Sequence, residues 1–548
     1  MKPIYASSLV LGAALLVAKP SAAEPPPSVN DQVTELERQI ELLREQSQQQ
    51  IDVLQRQVRA LEAQVKGKPG GVAKPKKLVA QAADPPPVAP APVAQAAPAP
   101  SPRPPAPATA PPLPTPSLPP VAASTTEAAP RVTLYPAKGP AFTTPDGLTT
   151  IQLAARLQFD VGDYFNVTPQ SRFSSPQTLN SGVNARRARL GLVGTFYGDW
   201  NYALIYDFGG SADSLTNSGG NTSGIENAYV TYTGLKNVAF DVGYQNVPWT
   251  LDEATISTDI LFLERASPSI VATNIAAGDF RSAADVRFIN DRYFGGLWLT
   301  GPVSGQPHNT GEQFGALARF SYQILQTPDY TLHLGADVET LLKAPSSSGV
   351  TALTLSDRPE LRLDPTVVLN TGQLAAIGHA NVFGGELAAN YKNLFLQSEY
   401  YHFAIDRTGL PSLGFDGGYV ETSWVLTGEQ HKYVTASGAY SGILPDDPLS
   451  LTGRGWGAFE LAARYSIIDL DDRVVSGRSA TATGAVAGGL QRVYTLGANW
   501  YPDTYVRFSL NYLFGSVDKV SVSTATAPLG TPVGLKFNAV ALRSQVAF

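Results

Sequence analysis

From about residue 146 to its C-terminus the chain repeats one unit. Roughly ten residues alternate between apolar and polar, and a short run of turn formers follows. A period of two puts successive side chains on opposite faces of an extended strand. Ile151-Gln152-Leu153-Ala154-Ala155-Arg156-Leu157 is typical. So are Trp200, Tyr202, Leu204 and Tyr206 against Asn201, Ala203, Ile205 and Asp207. Helical periodicity is missing from 146–548, which excludes a helical domain there. Hydrophobic residues make up 43% of the chain, yet no stretch reaches the ~18 uninterrupted apolar residues of a membrane-spanning helix.

Alternation fits a water-soluble sandwich with its apolar face inward, or a membrane barrel with its apolar face outward. Two features favour the barrel. Aromatic residues cluster at strand ends beside polar turns, as in Phe196-Tyr197-Gly198-Asp199-Trp200-Asn201-Tyr202 and Trp500-Tyr501-Pro502-Asp503-Thr504-Tyr505, which is where interfacial girdles sit. The last strand carries Val540, Leu542, Val546 and Phe548 on one face. A terminal aromatic there is similar to the assembly signal of bacterial outer-membrane proteins.

Sixteen strands are expected, at 150–165, 185–197, 200–209, 225–234, 238–246, 283–289, 292–300, 313–325, 329–341, 379–391, 393–405, 417–427, 456–468, 491–501, 504–514 and 535–548. An even number lets an antiparallel transmembrane β-barrel close with both ends in the periplasm. Short turns such as Gly198-Asp199 and Asn290-Asp291 alternate with long loops. Residues 428–455 break this rhythm: parity makes them a periplasmic turn, but they are long. They are either a periplasmic excursion or a sign of a miscount.

Three segments precede the barrel. Residues 1–23 have Lys2, an apolar core over 8–18 and Ser21-Ala22-Ala23, the layout of a cleaved signal peptide. Within 24–68, Val29, Val33, Leu36, Ile40 and Leu43, then Ile51, Leu54, Val58, Leu61 and Val65, make the seam of an α-helical coiled coil. The eight-residue step from Leu43 to Ile51 is a stutter. Residues 69–145 hold 23 of the 44 prolines and read as a disordered Pro/Ala-rich linker. Lys66, Lys68, Lys74, Lys76 and Lys77 at its start read as a solvated flank, with contact to the cell wall as the functional alternative.

Several motifs of the barrel region resemble the phosphate-selective porin O and P family. They are Asn184-Ala185-Arg186-Arg187-Ala188-Arg189-Leu190-Gly191 with Asp199-Trp200, and Val242-Gly243-Tyr244-Gln245-Asn246-Val247-Pro248-Trp249 running on to Phe262-Leu263-Glu264-Arg265. Gly455-Trp456-Gly457-Ala458-Phe459-Glu460-Leu461-Ala462-Ala463-Arg464-Tyr465-Ser466 and Leu496-Gly497-Ala498-Asn499-Trp500-Tyr501-Pro502 also match. The resemblance implies a trimeric sixteen-stranded porin of the bacterial outer membrane, with its third long loop, here 247–282, folded inward as a constriction. It also implies passage of small hydrophilic solutes or inorganic anions, and contact with outer-membrane lipid. The family commonly has a lysine and an acid where this chain has Gln245-Asn246-Val247, so phosphate preference does not follow from the motif.

The polar phase of the strands assigns Arg156, Arg187, Arg189, Arg287, Arg319, Arg464, Arg507 and Arg543 to the lumen. Planar guanidinium groups there suit anions; the alternative is that they pair with lumen acids such as Asp160 and Glu386 and brace the wall. The constriction loop carries Asp252, Glu253, Asp259, Glu264, Arg265 and Arg281. Net charge is -6 overall, and -10 over 146–548 from 26 basic and 36 acidic residues, so a nucleic-acid partner is not expected. With no cysteine, dispersed histidines and no nucleophile motif, no enzyme, cofactor or metal site is expected. The leading expectation is a porin with an anion preference. A second is an envelope-tethering protein that uses the coiled coil and linker.

Overall fold

A computed structural model describes residues 131–134, 139–209, 224–275, 278–303, 311–347, 349–450, 452–453 and 455–548. The expected signal peptide, the coiled coil and most of the linker lie outside these residues.

Sixteen long strands form the wall. They are β1 (Thr150–Pro169), β2 (Gly182–Phe196), β3 (Trp200–Asp207), β4 (Gly224–Leu235), β5 (Val238–Asn246), β6 (Phe280–Ile289), β7 (Tyr293–Thr300) and β8 (Phe314–Gln326). Then come β9 (Tyr330–Lys343), β10 (Ile377–Tyr391), β11 (Leu394–Arg407), β12 (Leu413–Val425), β13 (Ala458–Asp472), β14 (Val486–Tyr501), β15 (Val506–Asp518) and β16 (Leu535–Ala547). Each pairs antiparallel with the next, and β16 pairs with β1 to close the barrel. Closure leaves no open edge, so the backbone ladder of the wall is satisfied between neighbouring strands rather than by water. Phe548 continues the seam: its N–H donates to the Ala155 carbonyl at 2.9 Å and its carbonyl accepts from the Ala155 N–H at 2.8 Å.

All sixteen expected strands are present, and several run further outward than expected. β1 extends to Pro169 rather than 165, and β14 begins at Val486 rather than 491. Past the lipid band the ladder continues, but nothing requires apolar residues on its outer face, so the alternation fades before the strand ends. Residues at the end of the expected linker also form strand. Arg131–Leu134 pairs with Pro140–Thr143, which pairs with β1 through Ala141 and Gln152. Three-residue pairing at a strand start gives too short a pattern to detect against a proline-rich background.

The outer face is apolar, as Leu496, Phe320 and Leu204 illustrate at 62%, 57% and 55% exposure. Aromatic pairs gather at the periplasmic turns. Trp200 and Tyr232 lie 4.9 Å apart, Tyr330 and Tyr391 4.8 Å, and Trp500 stacks between Phe459 and Phe508. These amphipathic rings form the girdle of a transmembrane barrel.

The long segment after β12 accounts for the break in rhythm. The strand count holds, and residues 429–443 turn into the lumen from the periplasmic end. Within them Tyr433–Val434 pairs with Ala439–Tyr440 as a small hairpin. Gly438 at its turn has φ +62, and a Cβ there would lie 2.8 Å from the Phe294 side chain on the wall. Only glycine meets both demands without strain.

Candidate functional site

Among the described residues, three segments fill the lumen. The loop between β5 and β6 enters from outside and carries two short helices, α1 (Leu251–Ala254) and α2 (Ser267–Thr273). The loop between β9 and β10 covers α2 from the same side. The 429–443 segment rises from the periplasm. The loop expected at 247–282 ends earlier, because β6 begins at Phe280. Arg281 is therefore a wall residue. It is fully buried and pairs with Glu339 at 2.6 Å.

Irregular backbone at membrane depth leaves carbonyls without ladder partners, and these must be satisfied by the protein. The wall side chains do this. Arg507 donates to the carbonyls of Thr258, Ile260 and Leu261 at 3.1, 2.8 and 3.0 Å. Arg464 donates to Glu264 O at 2.9 Å, and Arg543 to Leu263 O. Gln158, Gln545 and Asn499 reach Ser257, Thr258 and Leu261. Arginine suits this task because one planar group offers five donors.

Ion pairs hold the same loop. Glu264 accepts a two-point contact from Arg186 at 2.7 and 2.9 Å and a further bond from Arg543 at 2.8 Å. Burial alone would raise its pKa, but Arg186 and Arg543 outweigh that and hold its carboxyl well below the usual range. Arg543 also pairs with Asp160 across the closing seam at 2.7 Å. Arg265 lies between Asp252 and Glu253, at 3.1 and 3.0 Å. Burial pushes the Glu253 carboxyl up to about 8, with Arg265 opposing and Asp279 and Asp252 reinforcing the shift.

Arg186 is the functional residue that alternation missed. Strict period two places Arg187 and Arg189 inward and Arg186 outward. A β-bulge shifts the register, so that Gln158 faces Arg187 but Phe159 faces Ala185. The extra residue turns inward, and Arg186 is 1% exposed. The two consecutive arginines were the available signal.

The other inward segments use similar contacts. Glu360, in the β9–β10 loop, accepts from the α2 backbone at Ser267 and from Arg464, at 2.9 and 2.7 Å. Arg319 joins the two ends of the lumen. It grips Glu386 at 2.7 and 2.9 Å, donates to Pro248 O at 3.3 Å in the outer loop, and to Ser437 O and Gly438 O at 2.8 Å in the periplasmic hairpin. His431 reaches Glu460 through Nε2 and Ser441 O through Nδ1, both at 2.7 Å. Two acceptors require two ring N–H groups, so this histidine is an imidazolium. Burial opposes that charge, but Glu460 outweighs it and raises the His431 pKa. No site role was expected of Glu360 or His431, because the partners of Glu360 are 90 or more residues away and the Glu460 partner of His431 lies on the far side of an irregular segment.

The remaining predicted arginines divide between wall pairs and open space. Arg189 pairs with Asp207 at 2.8 Å and with Glu226. Arg287 pairs with Asp241 and Asp285 on β5 and β6. Arg187 donates to Gln158 at 2.9 Å. Arg156 donates to Ser257 Oγ at 2.7 Å and makes no ion pair among the described residues. A cavity of about 380 Å³ remains between β1–β4, the loop residues Ile256 to Asp259 and the periplasmic residues Ser441 to Leu444. Arg156, Arg189 and Arg507 face it, as do Glu226 and Asp259.

A closed sixteen-stranded barrel with an aromatic girdle and a polar lumen narrowed by inward loops defines a porin. Residues 151–548 match the family of phosphate-selective porin O and P, and the chain belongs to it. It is thus an outer-membrane porin, a channel and not an enzyme. It is 25% identical over 406 residues to Porin O of Pseudomonas aeruginosa, covering 69% of this chain and 85% of that one. It is 28% identical over 389 residues to an uncharacterized protein of Caulobacter vibrioides, covering 68% and 69%. Among solved structures, OmpT of Vibrio cholerae aligns with a TM-score of 0.43 at 11% identity, covering 73% of this chain and 98% of that one. An anion-selective porin from Comamonas acidovorans aligns at 0.40 and 12%, covering 73% and 100%.

Proposed function

We propose that the protein passes small hydrophilic solutes through the cavity beside β1–β4, with a preference for anions set mainly by Arg156. The observation that carries this reading is the exposure of Arg156 to that cavity without a carboxylate partner among the described residues. Charge matters most where a passage is narrow, since salt screens it beyond ~8 Å. Most other predicted arginines spend their donors on loop carbonyls or acids, so they shape the passage more than they attract the solute. Arg189 and Arg507 add positive potential at the same cavity, and Glu226 and Asp259 limit it.

Reversal potential in a salt gradient across a planar bilayer tests this. Arg156→Ala should move it toward cations, more than Arg287→Ala does. Equal reversal potentials for wild type and Arg156→Ala would overturn the assignment. Phosphate as the favoured anion is the finer form of the proposal, read by comparing phosphate with chloride. A homotrimer is the proposed assembly, supported by the heptad seam of residues 29–65; mass in detergent with and without residues 24–68 reads it.

A further inference from the structure

Across the lumen from that cavity, three carboxylates converge on neighbouring strands. They belong to Asp337 of β9, Glu386 of β10 and Glu399 of β11. One oxygen from each lies within 4.8 Å of the others, and all three side chains are buried. The sheet register makes room for them. Asp337 faces Gly384 and Glu386 faces Gly335 across the β9–β10 ladder. A Cβ on Gly384 would lie 2.0 Å from Asp337 Oδ1, and one on Gly335 would lie 2.5 Å from Glu386 Oε2.

The three groups differ in their donors. Glu386 takes both arms of Arg319 and His333 Nε2, the last at 2.8 Å. The Tyr433 hydroxyl meets His333 Nδ1 at 3.1 Å, so a neutral imidazole serves both contacts. Glu399 accepts from the backbone N–H of Leu251 and of Asp252 and from the Tyr419 hydroxyl, at 2.8, 3.0 and 2.6 Å. Among the described residues Asp337 accepts from nothing. Both of its oxygens are buried without a hydrogen-bond partner, and the residue is 6% exposed. A buried carboxylate without donors is strongly disfavoured, and this one is aimed at two others.

We propose that Asp337, Glu386 and Glu399 bind a hard divalent cation of the calcium or magnesium class. Three carboxylates against the single guanidinium of Arg319 leave two negative charges, which a divalent ion neutralises. An all-carboxylate oxygen set selects hard ions over the softer transition metals. Each strand contributes one ligand, so no sequence motif announces the site. The ion would tie three wall strands to α1, because Glu399 also holds the first amides of that helix.

The full chain, refolded into detergent free of lipopolysaccharide, provides the test. After loading with calcium or magnesium chloride and desalting, elemental analysis should find about one ion per chain, and EDTA should lower the melting temperature. Asp337→Asn removes no hydrogen bond and should abolish both effects. Asp416→Asn, an exposed acid, should leave both unchanged. Glu399→Gln provides the same readout should Asp337→Asn fail to fold. A wild type that retains neither ion and melts identically in EDTA would overturn the proposal. So would retention of the ion by the folded Asp337→Asn or Glu399→Gln protein.

Discussion

The wall and the lumen filling are built from the same strands but obey different rules. Outside, Leu496, Phe320 and Leu204 need only be apolar, and any of several residues would serve. Inside, the arginines that hold the loops have specified partners far away in the chain: Arg507 with residues 258–261, Arg543 with Asp160 and Glu264, Arg319 with Glu386 and both inward segments. The outer face tolerates change in shape and punishes change in polarity. The inner face tolerates charge and punishes loss of a partner.

The largest expected effect tests the inner rule. Glu264→Ala removes the buried carboxylate that accepts two bonds from Arg186 and one from Arg543. Breaking a buried pair in this way costs about 3–5 kcal/mol. Thermal unfolding in detergent should record that loss, and single-channel conductance should become larger or noisier as the loop detaches. Unchanged melting and conductance would mean the loop is held by its carbonyl contacts alone.

The outer rule gives a somewhat smaller effect. Leu496→Arg places on the outer face the residue that the lumen uses freely. An arginine on the lipid side of a barrel costs roughly 2–4 kcal/mol at mid-membrane, and less toward the interfaces. Reduced folding yield into vesicles measures it. A yield equal to wild type would place Leu496 away from lipid.

The smallest and most graded effect is that of pH on the filling. The folded-state pKa of Glu253 is raised from 4.5 to about 8, so the folded protein keeps this proton longer than the unfolded chain does. Its contribution is complete below about 4.5 and is lost as pH rises through 8. The imidazolium of His431 acts in the same direction. Its folded pKa lies above 6.5, and its contribution is lost as pH rises through that folded value. Melting temperature should therefore fall between pH 5 and pH 9, and Glu253→Gln should flatten the slope. A slope of opposite sign would show that Glu253 is ionised throughout.

Legibility in the sequence followed the same division. Period two revealed all sixteen strands and the inward phase of arginines such as Arg319, Arg464 and Arg543, because alternation is a local property of a pleated strand. It failed at Arg186, where one extra residue in β2 reversed the local phase. It was silent about Glu360 and His431, which lie in irregular backbone where no period assigns a face. The 428–455 segment stood out by its length alone, and its direction depended on contacts with β7, β8 and β9.

By itself the sequence determined a transmembrane barrel: alternation in polarity marked the sixteen strands, and the aromatic clusters at their ends with the terminal Phe548 turned the apolar face toward lipid rather than into a sandwich. Tertiary structure alone decided which arginines are occupied. A guanidinium binds whatever acceptor the fold brings near it, and here the fold brings loop carbonyls and buried acids to most of them. It leaves Arg156 facing the open cavity and Asp337 facing two other carboxylates.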